Sequence, residues 1–180
     1  MTIQIEKTTS SRLATLDFSA IEFGNVFSDH LFRQEWKDGV WQEPTIIPHQ
    51  SIALSPAALG LHYGQVVFEG LKAYRGTHDN VIRLFRPDRN AKRLQESCER
   101  LCIPTVTTDD FLDAVCALAS LEQDWVPPSR LQTLYLRPIL FGSEGHLAVR
   151  PAQTYEFLIL AAPVSEYFDR KGPGISLKAE

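Results

Sequence analysis

Thr133-Leu134-Tyr135-Leu136-Arg137-Pro138-Ile139-Leu140-Phe141 reads as a β-strand, rich in aromatic and branched side chains and bounded by Pro127-Pro128 and Gly142. Alternation puts Tyr135 and Arg137 on one face and Leu134 and Leu136 on the other. A second strong strand spans 155–162. Upstream, 71–74 and 81–85 flank the turn residues Arg75-Gly76 and Asp79-Asn80 and read as an antiparallel hairpin. Segments 31–36 and 40–41 are joined by the turn Lys37-Asp38-Gly39, and Pro44 and Pro48 bracket a short strand at 45–47. Ser55-Pro56-Ala57-Ala58 suits a helix start with the serine as cap. Residues 1–20 alternate only weakly and read as a loose arm.

Two helices interrupt the strands. Pro87-Asp88 opens the first, and Ala91, Leu94, Cys98 and Leu101 recur at spacings of three, four and three, one helical face that ends at Pro104. Thr107 to Asp110 offer a cap and first-turn acids for the second, whose apolar face carries Phe111, Leu112, Val115, Leu118 and Ala119. Strands with two inserted helices, in place of regular βαβ alternation, predict an α+β domain with a mixed or antiparallel sheet.

Composition narrows the function classes. The chain has 180 residues, 44% hydrophobic and 22% charged, and a formal charge of −4, with its basic residues scattered. That excludes disorder and argues against the electrostatic footprint of a nucleic-acid binder. The longest apolar run, 157–164, is eight residues, where a membrane span needs about 20. Cys98, Cys102 and Cys116 are an odd number in a chain long enough to build a core, which predicts core thiols and a reduced, cytoplasmic setting. No Cys-x-x-Cys or histidine pair at zinc-ligand spacing is present, so no metal site is expected.

Three stretches could carry chemistry. Tyr135 and Arg137, a phenol beside a guanidinium, suit a carboxylate if their face lines a cleft; an edge strand with its polar face in water explains them equally, and Pro138 fits an edge. Arg93 lies well off the apolar face of its helix, as a solvated arginine does, or as a phosphate ligand would if a phosphate lay nearby. In Leu61-His62-Tyr63-Gly64-Gln65-Val66-Val67-Phe68-Glu69-Gly70, aromatics sit beside glycines that allow close backbone approach, as in a ligand wall or in ordinary packing.

The ordered set Phe23-Gly24, Ser28-Asp29-His30, Glu35-Trp36, Leu61-His62-Tyr63, Phe68-Glu69-Gly70-Leu71-Lys72-Ala73-Tyr74, Leu84-Phe85-Arg86-Pro87, Asp124-Trp125-Val126-Pro127 and Tyr135-Leu136-Arg137-Pro138 resembles the N-terminal part of branched-chain amino acid aminotransferases. These are fold-type-IV enzymes that use pyridoxal phosphate (PLP). The resemblance implies an arm at 1–20, the smaller domain at 21–170 and the start of a crossover to a second domain at 171–180. It implies that Arg93 grips the cofactor phosphate and that Phe23, Phe68, Tyr135 and Tyr167 line an aliphatic substrate pocket. Tyr63, Leu147 and Val149 match positions reaching into the other subunit of a homodimer, and Arg137 matches an arginine for the second carboxylate of glutamate or 2-oxoglutarate. Leucine, isoleucine and valine, with their 2-oxo acids, are the implied substrates.

One family element has no counterpart. The chemistry needs a lysine that forms a Schiff base with PLP and moves the substrate's α-proton, and none of Lys7, Lys37, Lys72, Lys92, Lys171 and Lys178 lies in a matching segment. That lysine is expected beyond Glu180, so the 180 residues alone are expected to be inactive. The alternatives are a non-catalytic dimerisation or regulatory module, or another fold-type-IV enzyme such as D-amino acid aminotransferase or aminodeoxychorismate lyase.

Overall fold

The computed structural model describes residues 1–165 together with Ser176 and Lys178. Its strands and helices, in chain order, are β1 (Gln4–Ile5), β2 (His30–Lys37), β3 (Val40–Trp41), β4 (Thr45–Pro48), α1 (Leu59–Tyr63), β5 (Val66–Phe68), β6 (Leu71–Arg75), β7 (Ile82–Leu84), α2 (Pro87–Arg100), α3 (Thr108–Leu121), β8 (Thr133–Gly142) and β9 (Tyr155–Val164). They form a nine-stranded sheet in the order β1-β4-β2-β9-β8-β6-β7, with β3 on β2 and β5 on β8. The β1–β4 pair is parallel and every other pair is antiparallel, which makes the sheet mixed. The domain is α+β, as the strand and helix pattern predicts.

The sheet is hydrophobic first on the side that carries the helices. Leu134, Leu136 and Leu140 alternate onto that side from β8, and Phe157, Ile159 and Ala161 from β9, all fully buried. Phe111 of α3 stacks on Phe157 with ring centroids 6.5 Å apart, and Phe32 of β2 meets the same ring edge-on at 5.5 Å. The α3 N-terminus is fixed by Thr107, whose Oγ1 accepts from the Asp110 N–H at 3.1 Å, a cap worth about 1 kcal/mol. β9 is buried along almost its whole length on both faces, which is why 157–164 is an unbroken apolar run.

Several expectations are corrected. β8 is not an edge strand: β9 lies on one side and β5 with β6 on the other. Pro138 is tolerated there because its ring nitrogen faces Glu69, at the break between β5 and β6; the Glu69 N–H donates to Pro138 O at 2.9 Å, and the return bond that proline cannot make is where the ladder is interrupted. The first short helix starts at Leu59, not at Ser55. Ala58 is extended and bridges to Gly145, while Ser55 Oγ accepts from Ala57 N in a turn before it. Leu101 is 40% exposed, past the end of α2, and Leu112 is only half-buried, its place on the core face taken by Ala114. Of the cysteines only Cys98 is in the core; Cys116 lies on the outer side of α3 and Cys102 follows α2 in a left-handed turn, φ 54°.

Residues 1–20 are less loose than their sequence reads. β1 pairs with β4, Thr8 N donates to His30 Nε2 at 2.9 Å, and Asp29 accepts from Ser11 Oγ at 2.5 Å and from Arg12 N at 3.0 Å.

Candidate functional site

Opposite the helices, the sheet presents the other half of each strand. Tyr135 and Arg137 point there from β8, Leu160 and Ala162 from β9, and Phe68 and Gly70 from the strand line of β5 and β6. The segment carrying Phe23, Gly24 and Phe27 crosses this face and encloses a cavity of about 170 Å³ lined by those residues with Tyr135, Arg137, Leu160, Ala162 and Val164. Phe23 and Tyr135 meet at 5.5 Å between ring centroids.

Arg137 is the charged group of this cavity. It donates Nε and Nη2 to the Tyr135 hydroxyl at 3.1 and 2.9 Å, and its guanidinium carbon lies 4.6 Å from the Phe68 ring centroid and 5.3 Å from that of Tyr135. Arg12, Arg33, Arg83, Arg86, Arg93 and Arg150 each have a carboxylate within ion-pair distance. Among the described residues Arg137, half-buried, has none, and neither do Arg75, Arg89, Arg100 and Arg130; of these, Arg137 is the one that lines the cavity. A cation set against aromatic rings at an apolar cavity, with no carboxylate partner among the described residues, is able to receive an anion. Gly70 makes the arrangement fit, since a Cβ on it would stand 2.3 Å from the Tyr135 hydroxyl.

Arg93 lies on the other, helix-bearing side of the strand line, paired with Glu69. Glu69 alternates to the opposite face from Phe68 and meets α2, where Arg93 donates Nε to Oε1 at 2.5 Å and Nη2 to Oε2 at 2.7 Å. Burial works against ionisation of Glu69, but hydrogen bonds from Arg93 and Asn90 prevail and hold its carboxyl below the usual carboxylate range. Glu69 and Asn90 carry no role in the sequence reading. The signal for Glu69 is visible in retrospect as an acid in step with the core residues Val67, Leu71 and Ala73.

Tyr63, Leu147 and Val149 gather elsewhere. Tyr63 donates its hydroxyl to Leu147 O at 2.5 Å, and Val149 lines a shallow apolar depression with Leu59, Tyr63, Leu101 and Pro151. This patch adjoins the far end of β8, seven residues from Tyr135 and so roughly 23 Å along the strand. All three side chains are exposed, Val149 at 85%. Tyr167 lies outside the described residues. No group of three His, Cys, Asp or Glu side chains suited to a metal occurs among the described residues.

A buried polar cluster joins strand, helix and N-terminal segment. His30 Nδ1 lies 2.5 Å from Glu122 Oε1, the Asp29 N–H donates to Glu122 Oε2 at 3.0 Å, and Trp125 Nε1 donates to Asp29 Oδ2 at 3.2 Å. Because His30 Nε2 accepts from Thr8 N, Nδ1 carries the proton toward Glu122. Burial pushes Glu122 up, against the pull of His30.

An α+β lobe with an arginine-bearing apolar cavity on its open face is the class of protein these elements define. Comparison with known proteins then finds branched-chain aminotransferases among the proteins this chain is similar to. It is 41% identical over 168 residues to branched-chain-amino-acid aminotransferase 2 of Bacillus subtilis, an alignment covering 93% of this chain and 46% of that protein. Its fold matches the branched-chain aminotransferase of Thermoproteus uzoniensis, solved with norvaline, at TM-score 0.55 and 22% identity over 72% of this chain and 40% of that one. It also matches the T.th. branched-chain amino acid aminotransferase complexed with N-(5'-phosphopyridoxyl)-L-glutamate, at TM-score 0.52 and 25% identity over 72% and 40%. No family model matches the chain. The chain spans about half the length of the curated relatives it matches. No helix of the described residues is long and apolar enough to cross a membrane.

Proposed function

We propose that this chain supplies one lobe of the active site of a PLP-dependent branched-chain amino acid aminotransferase acting on leucine, isoleucine and valine with 2-oxoglutarate. The observation that carries the reading is Arg137, clamped by Tyr135 and Phe68 at the mouth of an apolar cavity and without a carboxylate partner among the described residues. A pocket that takes both an aliphatic side chain and a second carboxylate needs an apolar wall with an anion site at its edge. Phe23 and Tyr135 are the wall, Phe68 extends it at the Arg137 guanidinium, and Arg137 is the anion site.

The donor chemistry at Arg93 fits a phosphate. Arg93 is held on a regular helix by Glu69, its side chain remains 66% exposed, and its charge survives at any physiological pH. PLP, when bound, supplies the electron sink for loss of the substrate's α-proton. Arg93 would anchor its phosphate, while Phe23 and Tyr135 keep water from the aliphatic part of the substrate. Tyr63, Leu147 and Val149 would complete the cavity of a second copy in a homodimer, which accounts for their exposure here. The reduced cytoplasm fits a chain with free thiols.

The experiment is a turnover assay on the 180 residues with PLP, leucine and 2-oxoglutarate, joined to a reading of the DNA downstream of codon 180. The expected result is no turnover and an open frame that continues into a lysine-bearing second lobe. Robust transamination by the 180 residues alone would sink the two-lobe reading.

A further inference from the structure

Glu69 is a carboxylate on the core side of a strand, 4% exposed, and α2 brings two side chains to it from one turn. Asn90 donates Nδ2 to Oε2 at 2.7 Å and to Gly70 O at 3.2 Å, and Gly70 N donates to Oε2 at 3.3 Å. Arg93 donates Nε to Oε1 and Nη2 to Oε2. A guanidinium carries five N–H bonds in one plane. Glu69 occupies its side edge, Nε with one Nη2 hydrogen, and a two-point contact fixes the plane as well as the position. The end edge, Nη1 with the second Nη2 hydrogen, faces away from Glu69 on a side chain that is 66% exposed. An exposed arginine ordinarily loses rotamer freedom when it binds, and this one is ordered beforehand by a carboxylate that is itself braced by Asn90.

We infer that Glu69 is a positioning residue for oxyanion recognition: it fixes Arg93 so that the end edge of the guanidinium meets a phosphate in a two-point contact. The inference rests on the phosphate reading of Arg93 and adds a second residue to it. It also has a sign. If Glu69 were only a counter-charge, removing it would leave Arg93 more attractive to an anion. If Glu69 positions Arg93, removing it weakens phosphate binding although the site becomes more positive.

The probe is pyridoxine 5'-phosphate, which lacks the aldehyde that reacts with lysines, with pyridoxine as its phosphate-free control. Both are titrated into the 180-residue chain by NMR, following the Arg93 Nε–H resonance, and the ratio of the two dissociation constants isolates the phosphate. Glu69→Gln keeps shape but puts an amide donor against Nη2; it is expected to cut the ratio about tenfold, the scale of one charge-assisted hydrogen bond. It should also move the Nε–H resonance from its hydrogen-bonded position, and pyridoxine binding should stay unchanged. An unchanged or larger ratio in Glu69→Gln overturns the inference. Arg93→Ala separates the two levels: a ratio lost there but kept in Glu69→Gln rejects the positioning role alone, whereas a ratio kept in Arg93→Ala rejects the phosphate reading itself. Should Glu69→Gln fail to fold, Asn90→Ala keeps every charge, removes the brace, and is expected to lower the ratio about threefold; no change there overturns the inference equally.

Discussion

Gly70→Ala tests the packing that holds Arg137. The added Cβ would lie 2.3 Å from the Tyr135 hydroxyl oxygen, 3.0 Å from Cζ and 3.2 Å from Cε2. Carbon–oxygen contacts settle near about 3.4 Å, so the phenol must withdraw by roughly 1 Å. Its contacts with Arg137, now 3.1 and 2.9 Å, would then exceed hydrogen-bond range. Overpacking of this kind costs about 1–3 kcal/mol. Gly70 is not among the positive-φ glycines, so alanine there also gains about 0.4–1 kcal/mol from a stiffer unfolded chain. The net is a loss of about 1 kcal/mol, or roughly 2–4 °C in Tm for a chain of this size. The assay is thermal melting of the wild type, Gly70→Ala, Tyr135→Phe and the double variant. With the hydroxyl removed, Gly70→Ala should become neutral or stabilising, a coupling of about 1 kcal/mol. A Gly70→Ala chain as stable as the wild type, with no coupling to Tyr135→Phe, would refute the reasoning.

Three further outcomes follow from the same structure. Asp29→Asn removes the charge that holds Ser11, Arg12 and Trp125; it should cost about 2–3 kcal/mol and speed amide exchange in residues 8–15, and unchanged exchange there would contradict the latch. Burial pushes the Cys98 thiol up to about 12 while Cys102 and Cys116 are exposed, so a disulfide reagent at about pH 8 should label two thiols at once and the third only on unfolding. Glu69 has a depressed folded pKa, so its pairing with Arg93 contributes fully above the unfolded value of about 4.3 and is lost as pH falls through the lower folded one. The Tm gap between wild type and Glu69→Gln should therefore narrow on acidification, and a gap that widens toward acid would be the contrary result.

Strands and helices were legible wherever the signal is local. The two long strands are recognisable within a residue or two because one alternates and the other is apolar from Phe157 to Val164, and α3 because Thr107 caps it. What depends on distant pairing was not. Pro138 reads as an edge residue until β5 and β6 are seen to pass it, and nothing near Pro138 records that the missing N–H faces a break in the neighbouring strand. Arg93 looks like a solvated side chain because its partner Glu69 is 24 residues upstream. His30 and Glu122, 92 residues apart, form a buried pair that no local pattern links. The face of Tyr135 and Arg137 was read correctly from alternation, but the cavity walls come from 23–27 and 160–164, which only the fold assembles.

The central claim is that the open face of β8 is where ligand binds. Its most direct test is an NMR titration of the chain with 4-methyl-2-oxopentanoate, the 2-oxo acid of leucine, and with 2-oxoglutarate. The account predicts saturable shifts centred on Phe23, Phe68, Tyr135, Arg137 and Leu160, with the 2-oxoglutarate response lost in Arg137→Ala. Shifts confined to the Tyr63, Leu147 and Val149 patch, or none at millimolar ligand, would contradict it.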